Sequence, residues 1–267
     1  MTQFCLAATR RGALLCESRL NGWSDMSERF FAPGLSDQST VGLEGSEAHH
    51  LLHVLRLAVG DEVELFDGKN GAAVAEITSI SRNSIELQVR QRRESSQITG
   101  RTIDLATAVP KSDRFRWLVE KATELGIGRL LPLKTARSVV HPNDGKLEKM
   151  RQTAIAACKQ SGRNRLMAIE PMINWNSLVA EEFGEKTVIV AHPSGEPLQP
   201  LLAGCDTDRS LLLVIGPEGG LSDEEVEQAR SAGAMLASLG NNILRIETAA
   251  VALAAVCLNA RPQSGGQ

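Results

Sequence analysis

The stretch that most restricts the fold is Leu211 to Ile215, five apolar side chains with no polar interruption, running straight into Gly216-Pro-Glu-Gly-Gly220. Five residues are too few for a buried helix, and the lack of alternation marks a strand covered on both faces, as in a parallel sheet flanked by helices. Ser222 then stands three residues before Glu225, the spacing of a capping box, so a helix starts directly after the glycines. Short apolar runs recur at Val188 to Ala191 and Met235 to Leu239. Upstream, apolar runs alternate with amphipathic helical stretches in the order Ile103 to Val109, Asp113 to Leu125, Ile127 to Leu133, Lys146 to Gln160 and Leu166 to Ile173. Strand and helix signals in alternation predict an α/β domain over residues 102–262.

Before residue 93 the period is two. Val63 and Leu65, Ala73 to Ile77, then Ile85, Leu87 and Val89 alternate with polar side chains, with turn signals at Asp67-Gly68 to Gly71 and Arg82-Asn83. That pattern is an antiparallel meander, expected to form a small β-barrel over residues 29–92. Ser46 is expected to cap a short helix through Arg56, with Leu51, Leu52 and Leu55 on one side. The polar stretch 93–101 has a linker's composition. Residues 1–28 show no periodicity and are expected to be a poorly ordered leader, with Met26 opening what resembles the natural start of the folded chain. Residues 263–267 form a Gly/Gln tail.

The formal net charge of −3 conceals two opposed blocks. Residues 101–165 hold 14 basic and 6 acidic side chains, whereas residues 166–267 hold 5 basic and 13 acidic. A polyanion would bind the middle block, although solvated Lys and Arg on helices produce the same surplus. Aromatic residues are 3% of the chain and Tyr is missing, so RNA recognition through stacking platforms has little material and phosphate and shape contacts must dominate. The five cysteines are scattered and never spaced C-x-x-C, which opposes a disulfide framework or zinc ribbon and makes a reducing cytoplasm the expected compartment. No run approaches the roughly 18 uncharged apolar residues of a spanning helix. His49, His50 and His53 lie one turn apart but lack the Glu of H-E-x-x-H, so packing or RNA contact is expected there, and no metal.

Two segments carry chemistry. The turn at 216–220 offers backbone N–H groups at the carboxyl end of a parallel strand, where open α/β sheets bind ligands. It lacks the Lys-Ser/Thr of a P-loop and the pattern G-x-G-x-x-G, and Glu218, Asp223, Glu224 and Glu225 repel phosphate, so a neutral or cationic ligand fits better. A ligand-free strand-to-helix turn has the same local signature. The second segment, Leu239-Gly-Asn-Asn-Ile-Leu-Arg-Ile-Glu-Thr248, also leaves an apolar run and opens an Ala-rich helix. The two turns are expected to face each other across one pocket.

Taken in order, Arg29-Phe-Phe, His49-His-Leu-Leu-His-Val-Leu-Arg56, Gly60-Asp61, Asp67-Gly68, Lys121-Ala-Thr-Glu-Leu-Gly126, Arg137-Ser138, Gln160-Ser-Gly-Arg163 and the two segments above resemble the RsmE-type ribosomal RNA methyltransferases of the SPOUT superfamily. The resemblance spans residues 29–262. It implies a PUA-like RNA-binding barrel followed by a SPOUT-type parallel sheet with a C-terminal trefoil knot, acting as a cytoplasmic homodimer. The implied reaction is S-adenosylmethionine-dependent methylation of uridine N3 in 16S small-subunit rRNA, free or in an assembling subunit, with neither metal nor membrane involved.

By position, the implied cofactor residues are Ala191, His192, Ile215, Gly216, Pro217, Gly219, Gly220, Leu239, Gly240, Ile243, Leu244 and Thr248, with Pro193 beside the third wall. A valine at 219 is expected to intrude on the cofactor. Glu218, Arg245 and Glu247 are the candidate catalytic residues, although Glu218 and Glu247 also suit structural hydrogen bonds. Candidate RNA contacts are Arg29, Arg56, Lys111, Arg114, Arg137, Gln160, Arg163 and Arg165. Asn242 stands where the family usually has Arg. Two other readings stay open: a non-catalytic RNA-binding assembly factor on the same fold, and an α/β enzyme acting on a phosphorylated metabolite.

Overall fold

The computed structural model describes residues 28–36, 38–93, 101–206 and 209–259. The expected leader and tail, and most of the expected linker, lie outside them. The first sheet contains β1 (Arg29–Phe31), β2 (Thr40–Glu44), β3 (Glu62–Phe66), β4 (Ala72–Ile80) and β5 (Ser84–Arg93) in the order β1-β3-β4-β5-β2. β3, β4 and β5 form the expected meander, β2 joins β5 antiparallel, and β1 pairs parallel with β3. Val63, Leu65, Ala73, Ala75, Ile77, Ile85 and Leu87 fill its core, the inward half of each alternation.

The helical segment after β2 differs from expectation. Glu44, not Ser46, is the N-cap residue, and no side chain caps the helix. α1 (Gly45–His49) passes into a π-helical turn, His50–Leu55, closed by Arg56 in the left-handed region at φ 57°. The wider turn buries Leu51 while Leu52 and Leu55 lie against the edge of the barrel core.

The second sheet contains β6 (Ile103–Ala108), β7 (Arg129–Lys134), β8 (Ala168–Ile169), β9 (Ile173–Asn174), β10 (Thr187–Pro197), β11 (Leu211–Ile215) and β12 (Met235–Ser238). Its order is β12-β10-β11-β6-β7-β8, with β9 also on β7, and every ladder is parallel. The helices are α2 (Arg114–Leu125), α3 (Asp144–Ser161), α4 (Trp175–Glu182), α5 (Leu198–Ala203), α6 (Asp223–Ser231) and α7 (Ile246–Asn259).

The uninterrupted run at 211–215 now has its physical reason. Leu211, Leu213 and Ile215 pack into a core with α2, α3 and α7, whereas Leu212 and Val214 pack into the opposite core with α4 and α6. The run at 166–173 resolves into two short strands, β8 and β9, instead of one element. α4, which Asn174 caps by accepting the Ser177 N–H at 2.9 Å, carries a cap signal that the periodicity argument passes over. No helix among the described residues is long and apolar enough to cross a membrane.

Polar contacts join the sheets. The Arg29 guanidinium donates to Glu64 at 3.1 Å, to the Cys158 carbonyl at 3.0 Å and to Asn164, and lies over the Phe66 ring. Lys159 of α3 pairs with Glu47 of α1 at 2.6 Å. Phe31, Phe66, Ile155, Cys158 and Leu166 form a small apolar cluster beneath them.

Candidate active site

The exits of β11 and β12 converge with the irregular middle of β10 on one cavity of about 370 Å³, within the size range of small-ligand sites. Two glycine turns meet there with the start of α7. The lining includes Ala191, His192, Pro193, Ile215, Gly216, Pro217, Glu218, Gly220, Leu239, Gly240, Ile243 and Leu244. Ten of the twelve positions implied for the cofactor are therefore neighbours across a single space.

Gly219 and Thr248 are the two that do not line it. A Cβ at 219 would meet Arg137 side-chain carbons at 3.5 Å, an ordinary contact, and Arg137 is not among the lining residues. Thr248 is exposed, and Ile246 and Ala249 of the same helical turn take the inward places. The sequence argument also missed Leu221, Ala237 and Ser238 as lining residues. Ala237 and Ser238 end the 235–239 run, and a strand-exit rule applied to β12 as well as β11 finds them.

The turn after β11 is held from behind. Gly220, at φ 71°, donates its N–H to Pro217 O at 2.8 Å, a conformation that favours glycine. Ser222 and Glu225 complete the capping box, and the buried Glu225 carboxylate also accepts the Ala136 N–H at 2.7 Å. Arg137 donates to the carbonyls of Gly219 at 2.8 Å and Leu221 at 3.3 Å. The Arg137-Ser138 segment thus serves as a brace for the turn.

β10 contributes the third wall through an irregularity. Its ladder with β12 breaks after Ala191 and resumes at Glu196, so His192 to Gly195 loop out of that ladder. His192 Nδ1 accepts the Ser194 N–H at 3.2 Å. Burial lowers the His192 pKa and the Arg230 charge adds to that, against the opposing effect of Asp223. Glu218 is the one carboxylic side chain among the lining residues, and no Lys or Arg is among them. A cationic or neutral ligand suits these walls, and a phosphate does not.

The remaining predicted residues separate clearly. Of the three catalytic candidates, only Glu218 lines the cavity; Arg245 is exposed outside it, and Glu247 is buried behind it. Arg114 stands 3.7 Å from Glu218 and 3.6 Å from Glu247. Arg163 turns inward to the carbonyls of Thr123 and Ile127 around the end of α2, and burial lowers its pKa. Arg29, Arg114, Arg137 and Arg163 thus make protein contacts, whereas Arg56, Lys111, Gln160 and Arg165 are exposed. The rings of His49 and His53 lie 4.8 Å apart.

Residues 98–258 match the model of an RNA methyltransferase domain, and residues 43–90 that of an RNA methyltransferase PUA domain. The chain is 30% identical over 245 residues to the ribosomal RNA small subunit methyltransferase E of Bacillus subtilis, covering 87% of this chain and 95% of that protein. To its Synechocystis counterpart it is 31% identical, covering 84% and 75%. The structure of a methyltransferase E from Neisseria gonorrhoeae bound to S-adenosyl methionine superposes with a TM-score of 0.78 at 29% identity, covering 86% of this chain and 96% of that one. A Legionella pneumophila putative methyltransferase with bound SAM superposes with the same TM-score of 0.78, at 28% identity and the same coverage. The chain belongs to the RsmE family of S-adenosylmethionine-dependent RNA methyltransferases, within the SPOUT superfamily.

Proposed function

We propose that the chain methylates N3 of a uridine in 16S small-subunit rRNA and that S-adenosylmethionine occupies the cavity at the exits of β11 and β12 and the irregular middle of β10. The observation that carries this reading is the lining of that cavity: glycine turns and apolar walls, one carboxylic side chain and no Lys or Arg among the lining residues. When bound, the cofactor supplies an electrophilic methyl group on a positively charged sulfur, which such walls favour.

In the proposed reaction the sulfur–methyl bond breaks as the N3–methyl bond forms, and the N3 proton leaves to a base. Glu218 is the carboxylate on the cavity wall and is the group assigned to take that proton. The backbone of 215–220 and 239–244 orients the donor, and Ile243, almost fully exposed, offers an apolar cover. Exposed Arg56, Lys111, Gln160 and Arg165 are the proposed phosphate contacts. A homodimer in the cytoplasm and a trefoil knot near β10 and β12 belong to the same proposal and rest on the family.

Labelled-methyl transfer to small-subunit rRNA lacking the modification, with mass mapping of the product, tests the reading. A label on uridine N3 supports it, and a label elsewhere refutes the site. The second reading, an RNA-binding assembly factor without turnover, is favoured by one observation: Asn242 lines the cavity where the family usually carries Arg. Calorimetric binding of S-adenosylmethionine without any transfer would select it.

A further inference from the structure

Arg114 opens α2 just past the carboxyl end of β6, the neighbour of β11 in the sheet. Its guanidinium lies between two carboxylates from different walls, Glu218 on the turn after β11 and Glu247 in the first turn of α7. The Glu247 side chain is only 9% exposed, and Arg114 is its one ion-pair partner among the described residues. A buried carboxylate is costly unless paired, and Glu247 is paired on one side only, because its Oε2 is buried without a hydrogen-bond partner. Such incomplete pairing is poor design for a residue that serves packing alone. It suits an anchor whose task is to hold a cation that also reaches Glu218.

We propose that Arg114 is a positioning residue for methyl transfer: it ties the Glu218 turn to the base of α7 and so sets the separation of the two cofactor walls. This rests on the cavity being the S-adenosylmethionine site. It replaces the phosphate contact that the sequence alone implied for Arg114, and the two roles have different signatures.

The test is Arg114→Met, with cofactor affinity read by calorimetry, KM and kcat by methyl transfer, and RNA affinity across a salt series. A clamp predicts that cofactor affinity falls and its KM rises about tenfold, the scale of about 1.4 kcal/mol expected for losing two partly exposed charge contacts. The RNA KM and the slope of log affinity against log salt stay at wild-type values. Arg114→Lys recovers part of the loss, since an ammonium group still attracts both carboxylates.

Arg114→Met leaves Glu247 unpaired, so Arg114→Met/Glu247→Met is the control for stability: it restores the melting temperature while cofactor affinity stays low. Two results overturn the proposal. One is unchanged cofactor affinity with a salt slope reduced by about 0.7 to 0.9, the mark of a lost phosphate contact. The other is a double variant that regains full cofactor affinity, which assigns the whole effect to stability. If the wild-type protein does not bind S-adenosylmethionine, the cavity reading itself fails, an outcome separate from both.

Discussion

Gly195→Ala probes the tightest backbone approach at the site. An added Cβ at 195 would meet the carbonyl carbon and nitrogen of Ala237 and the carbonyl carbon of Leu236, each at 2.6 Å. Ordinary contact begins at about 3.4 Å, so the methyl group is about 0.8 Å too close to three atoms of the β12 backbone, none of which can rotate away. The strands must separate where β10 rejoins β12, at Glu196 opposite Ala237 and Pro197 opposite Ser238. Overpacking costs about 1 to 3 kcal/mol, and each weakened ladder bond about 1 kcal/mol, which places the loss near 3 kcal/mol. For a protein of this size that lowers Tm by about 6 to 12 °C. Because Ala237, Ser238, His192 and Pro193 line the cavity, S-adenosylmethionine affinity should fall as well. Urea unfolding with a calorimetric titration measures both. A variant within about 0.5 kcal/mol of wild type and with unchanged affinity would refute the argument that this crossing excludes a side chain.

Other outcomes follow from single contacts. Gly219→Ala should bind cofactor as wild type does, because its Cβ meets only Arg137 at 3.5 Å, whereas Gly220→Val should lose about 1 to 2 kcal/mol of stability through its φ of 71°; equal melting curves for the two would contradict this. Lys159→Met removes the ion pair with Glu47 between α3 and α1, and should raise the KM for RNA while leaving S-adenosylmethionine affinity unchanged in the same preparation. Burial raises the Glu182 pKa, but Lys186 and Arg129 bring it below the ordinary value of 4.5. Its stabilising contribution is therefore present above pH 4.5 and lost as pH falls through the folded value, so Glu182→Gln should cost about 2 kcal/mol at pH 7 and progressively less in acid melts. Burial pushes the Cys257 thiol up to about 12, against the Arg101 charge, so its contribution is full below pH 9 and fades from about 9 to 12; Cys257→Ala should flatten that alkaline limb in pH-dependent melts.

Local pattern predicted much of this architecture. The period-two segments became the meander, the apolar runs at 188, 211 and 235 became parallel strands, and Ser222 with Glu225 formed the expected capping box. Each of these is settled within a few residues by alternation, burial or a cap. The π-helical turn at His50–Leu55 and the looping of His192 to Gly195 were not legible, because both depend on what the chain meets at long range. The arginines show the same division. Sequence marks Arg29, Arg114, Arg137 and Arg163 only as cations, the last three in a basic block, yet their partners are Asn164, Glu247, Gly219 and Thr123, remote in sequence.

Order along the chain was enough to identify the family and to place two glycine turns at strand exits, since glycine content, caps and apolar runs are properties of neighbouring residues. Which groups face the cavity is another matter. Gly219 and Gly220 are adjacent and chemically identical, but one rests on Arg137 and the other lines the pocket, because a turn sends successive residues in different directions. The same holds for Glu218 and Glu247: carboxylates of equal standing in the sequence, they are separated by packing into a wall residue and a buried anchor, with Arg114 between them.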